Sequence, residues 1–195
     1  MDLVYFEVSK ACLGKLIRRK FTLTEMAYDL LRRSINRCDN PFAAGRWLLT
    51  GYGSAAVGKT SHKVYASHVG LAYYFIDNLS LNLEGVGYFV DYAHNTGGGG
   101  LDLLPRWHYL ARDDWSLYLD GGWGFIYTSD TLRDPGTHFN FTIQSGTGAT
   151  YDVADRLTGI VGVRWFHISN ARIRGKNRNV GFDSPMFYLG VMTPF

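Results

Sequence analysis

From Arg46 to the C-terminus, large apolar residues alternate with small or polar ones at a period of two, the pattern of β-strands with one apolar face. The alternation predicts eight strands, near 46–57, 62–76, 79–94, 99–112, 115–129, 138–154, 156–170 and 185–195. Turn signals separate them: Asp77-Asn78, the run Gly97 to Gly100 read as a flexible loop, Asp113-Asp114, and Asp134-Pro135-Gly136. The fifth strand shows the pattern best. Trp115, Leu117, Leu119, Trp123, Phe125 and Tyr127 fall on one side, with Ser116, Tyr118, Asp120, Gly122 and Gly124 on the other. Pro105 removes a ladder hydrogen bond and is expected to mark a bulge.

Alternation does not say which face is outermost. In a soluble barrel the rings would fill the interior, as a fatty-acid-binding barrel requires. Here the polar set is rich in glycine and carries Glu84, Arg106, Asp120, Asp152 and Arg164, small residues and opposite charges that suit a narrow closed lumen. The apolar set, with aromatics toward the strand ends, suits hydrocarbon and two interfacial girdles. Strands of this length cross a bilayer when tilted. The expected fold is therefore all-β, an eight-stranded antiparallel transmembrane β-barrel over residues 46–195.

Residues 1–45 break the pattern. Thr24 as an N-cap, followed by Met26, Leu30, Leu31 and Ile35 at helical spacing, reads as a short amphipathic helix, in a solvated extension or lying at a membrane interface. Asn40-Pro41 looks like its boundary. Cys12 and Cys38, the only cysteines, both lie here; free thiols are the favoured reading and a bridge stays open. The opening residues place their charges after the apolar ones, unlike a signal peptide, so the stretch is expected to include sequence upstream of the true start or replacing a lost signal.

Composition narrows the partners. The formal charge is +3, and the first 40 residues, with eight Lys or Arg against five acids, account for all of it. So mild a net charge, with the remainder near neutral, does not point to nucleic acid as a partner. Gly53 to Thr60 matches the phosphate-loop pattern, but that loop needs a helix after the threonine and a strand follows here. His62, His68, His94, His108 and His138 show no ligand spacing, and neither a metal nor a cofactor is expected.

The seventh strand ends in His167, Ile168, Ser169 and Asn170. His167 and Ser169 share the apolar face with Val161, Val163 and Trp165, and residues two apart on a strand have Cα atoms about 7 Å apart. Counting back by twos from Phe187 through Pro185 brings Asp183 to the same face. A serine, a base and a carboxylate to hold the base are the parts of an acyl-transfer site. Interfacial polar residues at a strand end are the other reading.

The segment Gly162-Val-Arg-Trp-Phe-His-Ile-Ser-Asn-Ala171, the glycine- and asparagine-bearing loop after it, the carboxylate before the last strand and the terminal Phe195 resemble the lipid A 3-O-deacylase (PagL-type) family of outer-membrane enzymes. The resemblance spans residues 46–195. It implies Ser169 as nucleophile, His167 as general base, Asp183 as orienting acid and Asn170 as an oxyanion donor. The better-known members carry glutamate where this chain offers Asp183, after a slightly shorter loop. The implied activity is a serine esterase that removes the 3-linked hydroxyacyl chain of lipid A in the outer leaflet, with lipopolysaccharide as substrate. With both termini periplasmic, strand seven runs outward to that leaflet. Arg172, Arg174, Lys176 and Arg178 would hold the lipid's phosphates or form a solvated basic loop. The alternative is a non-catalytic structural or adhesive barrel, and a homodimer is left open.

Overall fold

The computed structural model describes residues 40–58, 62–91, 95–132, 134–179 and 181–195. The helix expected around residues 20–38, both cysteines, His94 and the Lys59-Thr60 pair of the phosphate-loop match lie outside the described residues. Eight strands follow one another: β1 (Trp47–Val57), β2 (Lys63–Ile76), β3 (Leu79–Asp91), β4 (Asn95–Ala111), β5 (Trp115–Thr128), β6 (Phe139–Ala154), β7 (Leu157–Ser169) and β8 (Phe182–Pro194). Each pairs antiparallel with its neighbour, and β1 pairs with β8 to close the barrel, leaving no sheet edge.

The wall is turned as the residue types on its two faces suggest. Even-numbered positions of β2, such as Val64, His68, Ala72 and Tyr74, are buried in the lumen, while Tyr65, Val69, Leu71, Tyr73 and Phe75 are exposed. The other strands repeat this, giving an outer belt of exposed apolar side chains around an interior where polar and charged groups lie between two hydrophobic clusters. Trp47, Tyr73, Trp107, Tyr109, Trp115 and Tyr151 gather toward the end that carries the short turns 77–78, 112–114 and 155–156. The longer loops 129–138 and 170–181 lie at the opposite end. In outer-membrane barrels the short turns are periplasmic and the long loops extracellular, which fixes the orientation.

Three strand assignments need correction. Gly97 to Gly100 is part of β4, not a loop: a Cβ at Gly100 would stand 2.0 Å from the Phe125 carbonyl oxygen and one at Gly98 2.5 Å from that of Tyr127. These glycines let β5 approach closely. Pro105 keeps its place opposite Leu81, and the register shift falls between Trp107 and Leu110 instead. The last strand begins at Phe182, three residues earlier than expected. Gly53 to Val57, by contrast, continue β1, so the phosphate-loop match has no loop at its start.

At the closed end, residues 42–45 fold against the barrel. Phe42 is buried and stacks on His108 with ring centroids 3.8 Å apart. Deeper in the lumen Asp120 receives both interior guanidiniums, Arg164 at 2.8 Å and Arg106 at 3.0 Å. All three groups are sealed from water, so each depends on the others for its charge. Asp120→Ala leaves Arg106 without its carboxylate and Arg164 with only the more distant Glu84 at 3.7 Å, and is expected to lower stability by about 3–5 kcal/mol. Urea unfolding in detergent micelles measures this, and an unchanged midpoint would contradict it.

Candidate active site

β7 and β8 run antiparallel with His167 directly opposite Asp183 and Trp165 opposite Pro185. Residues paired across a sheet point to one face, so the odd phase of β7 and β8 carries His167 and Asp183 outward together. His167 Nδ1 stands 2.8 Å from Asp183 Oδ1. Both side chains are partly exposed, 29% and 49%, on the apolar outer wall near its extracellular rim. A carboxylate on Nδ1 fixes that nitrogen as the donor and leaves Nε2 with its lone pair, the tautomer a general base needs.

Ser169 follows in the same phase as the last residue of β7, opposite Phe141 on β6. It is 9% exposed, and its hydroxyl makes no hydrogen bond among the described residues. The structure brings His167 and Asp183 together on the outer wall, while Ser169 shares their strand phase but is buried and makes no hydrogen bond to His167 among the described residues. The directly opposed register brings the Asp183 carboxylate within hydrogen-bond reach of His167.

The loop after Ser169 turns back at once. Ala171 and Arg172 both hold left-handed backbone angles, φ 52° and 60°, and Ile173 N–H donates to the Asn170 carbonyl at 3.0 Å. Two such residues in succession are unusual without glycine, and the Asn170 side chain supports them by accepting from Arg172 N–H at 2.9 Å. Its amide group donates to the Arg178 carbonyl at 2.7 Å and to Thr137 Oγ1 at 3.2 Å. Asn170 N–H donates to Asn179 Oδ1 at 2.9 Å. Asn170 therefore sits beside Ser169, yet its amide protons are engaged in holding the loop. Thr137 and Asn179, which complete this network, carry no signal in the sequence. Arg172, Arg174, Lys176 and Arg178 are all exposed on the same loop, the last two within a single 3-10 turn, Lys176–Arg178.

Further down the wall from Asp183, a shallow, widely open depression of about 460 Å³ lies over β7, β8 and β1. Val161, Phe187 and Leu189 form its sides, and Gly53 and Ala55 contribute to its lining. A Cβ at Gly53 would meet nothing within 4 Å, so the small β1 residues leave the space open. Phe187 lies four positions along β8 from Asp183, about 13 Å along the strand.

A closed eight-stranded barrel with an apolar outer belt that carries a histidine–carboxylate pair has the architecture of an integral outer-membrane protein. The family "Lipid A 3-O-deacylase (PagL)" matches residues 46–192, and the chain belongs to it. It is accordingly an ester hydrolase of the bacterial outer membrane, a lipid A deacylase. No curated protein matches the chain by sequence. Among solved structures, the outer-membrane enzyme PagL superposes with a TM-score of 0.60 at 19% identity, covering 75% of this chain and 99% of that one. Neisserial surface protein A gives 0.59 at 16% identity, covering 78% and 98%. The N-terminal β-barrel domain of Pseudomonas aeruginosa OprF gives 0.51 at 14% identity, covering 78% and 98%. At these identities the superpositions speak to the barrel fold alone.

Proposed function

We propose that this lipid A deacylase cleaves the 3-linked ester with Ser169 as nucleophile, His167 as general base and Asp183 as the group that orients the base. The observation that carries the reading is the 2.8 Å contact between His167 Nδ1 and Asp183 Oδ1 on the outer wall, in phase with Ser169. His167 Nε2 takes the Ser169 proton and the alkoxide attacks the ester carbonyl. The tetrahedral intermediate collapses, His167 returns the proton to the leaving sugar oxygen, and an acyl-enzyme remains. Water, deprotonated by the same imidazole, then releases a 3-hydroxy fatty acid. The substrate arrives laterally because the lipid A leaflet lies at the height of the site, so it need not enter the barrel.

The oxyanion needs a donor beside Ser169. Of the two bonds made by the Asn170 amide, the 3.2 Å one to Thr137 is the longer, and its proton is the one exchanged for the developing oxyanion. The exposed arginines and Lys176 of the same loop stand where lipid A phosphates would lie, and charge-assisted hydrogen bonds to them would set the depth of the sugar.

The depression over Gly53 and Ala55 suits the acyl chain of the scissile ester. Hydrocarbon gains little by moving from lipid to an apolar wall, so the depression acts through packing and orientation, not through exclusion of water. Gly53→Trp fills it from a position with free space around the Cβ. Turnover of long-chain esters is expected to fall about tenfold, with a short soluble ester hardly affected. Equal losses on both substrates would contradict this role.

Incubating the protein with lipid A in detergent micelles and weighing the products tests the activity. One 3-hydroxyacyl group should leave each lipid A, with the free acid recovered in equal amount. Intact lipid A would overturn the reading and leave a structural barrel.

A further inference from the structure

Among the described residues, three carboxylates are sealed in the lumen, Glu84, Asp102 and Asp120, against two guanidiniums, Arg106 and Arg164. Asp120 takes both arginines in its short ion pairs. Glu84 has looser partners: Arg164 at 3.7 Å, the His68 imidazole at 3.5 Å and a hydrogen bond from the Tyr52 hydroxyl. Asp102 is held by neutral donors: Thr142 at 2.6 Å, Gln144 at 2.8 Å and Tyr88 at 3.2 Å. A buried carboxylate short of a cation is costly, and here two of them are neighbours.

The fold puts them together. Glu84 and Asp102 are direct register partners across β3 and β4, and Glu84 also faces Gly70 on β2, two residues beyond His68. Glycines give the acids their room: a Cβ at Gly70 would stand 2.8 Å from Glu84 Cγ, and one at Gly124 2.0 Å from Asp102 Oδ1. His68 is buried, stacked on Tyr52 with centroids 4.2 Å apart, and its Nε2 lies 2.9 Å from Ser54 Oγ. With Nε2–H donating to that hydroxyl, the Nδ1 lone pair points to the acids. Nδ1 has no hydrogen-bond partner and lies 3.5 Å from Glu84 Oε2, and Glu84 Oε1 has no partner either. One ligand atom from each of His68, Glu84 and Asp102 falls within 4.8 Å of the others.

We propose that His68, Glu84 and Asp102 form a structural site for a divalent transition-metal ion in the barrel lumen. One imidazole nitrogen with two carboxylates suits zinc-like ions better than calcium or magnesium, which take oxygen alone. Zinc ligands about 2.0–2.2 Å from the metal stand some 3–4 Å apart, so closure asks for a shift of about 1 Å. Ser54 then acts as the outer partner that orients the ring, as ligating histidines commonly require. The site lies on β2, β3 and β4, which carry none of the candidate active-site residues, and it ties those strands together from inside.

The test uses the whole chain refolded from urea into detergent micelles with Zn²⁺, then passed through a chelating column. Element analysis is expected to find about one Zn²⁺ retained per chain, and a higher unfolding midpoint than after refolding with chelator. His68→Gln and Asp102→Asn, checked for folding by heat-modifiable gel mobility, should each lose both effects. Should the variants not fold, the wild-type arm decides alone: no Zn²⁺ retained and no shift in midpoint overturns the proposal. Retention by folded His68→Gln equal to wild type also overturns it, since the ion would then sit elsewhere, on exposed histidines.

Discussion

Ser169→Ala is expected to abolish release of the 3-hydroxy fatty acid from lipid A while the barrel remains folded. Removing the nucleophile of a hydrolytic triad lowers turnover by about 10⁴–10⁶-fold, because the base and the oxyanion donors have no attacking atom to serve. Folding is spared because the residue ends β7 and its hydroxyl bonds to nothing else among the described residues. Product mass spectra and heat-modifiable mobility read the two effects separately. Wild-type turnover in a folded Ser169→Ala barrel would show that another group attacks the ester.

Asp183→Asn should have the second largest effect, a fall of about 10²–10⁴-fold in kcat with KM little changed. The carboxylate does not touch the ester. It holds His167 Nδ1–H at 2.8 Å and steadies the imidazolium that forms when Nε2 takes the serine proton. An amide can turn its NH₂ toward Nδ1, which then must accept, and Nε2 carries the proton instead of receiving it. Because Asp183 is 49% exposed, water can replace part of its role, which places the loss below that of Ser169→Ala. A change in KM alone would assign Asp183 to substrate binding.

Most of the barrel was legible because a membrane wall has one oily and one polar side, and the period of two in β2 and β5 records it residue by residue. Glycine was the weak point. Gly97 to Gly100 looks like a turn, yet Gly98 and Gly100 are small because β5 presses on them, a constraint that only the partner strand reveals. The opposition of His167 and Asp183 was legible for a related reason. His167 and Ser169 are two apart on one strand, and the phase of β8 carries through Pro185 to Asp183, so simple counting reaches the residue that does oppose His167. The Asn170 network was not, since Thr137 and Asn179 meet it across loops whose paths have no period. His68, Glu84 and Asp102 were not either, because their meeting depends on the register of three strands rather than on spacing along one.

The lumen also offers a rival arrangement, Ser54 Oγ at 2.9 Å from His68 Nε2 with Glu84 Oε2 at 3.5 Å from Nδ1, turned inward where the proposed trio would face lipid. A lipophilic fluorophosphonate, which bonds covalently to an activated serine, separates the two faces directly. Peptide mass mapping of the labelled, folded barrel should find the adduct on Ser169 and lose it in His167→Ala. Label on Ser54, or none on Ser169 in a barrel that hydrolyses lipid A, would contradict a nucleophile on the membrane-facing wall.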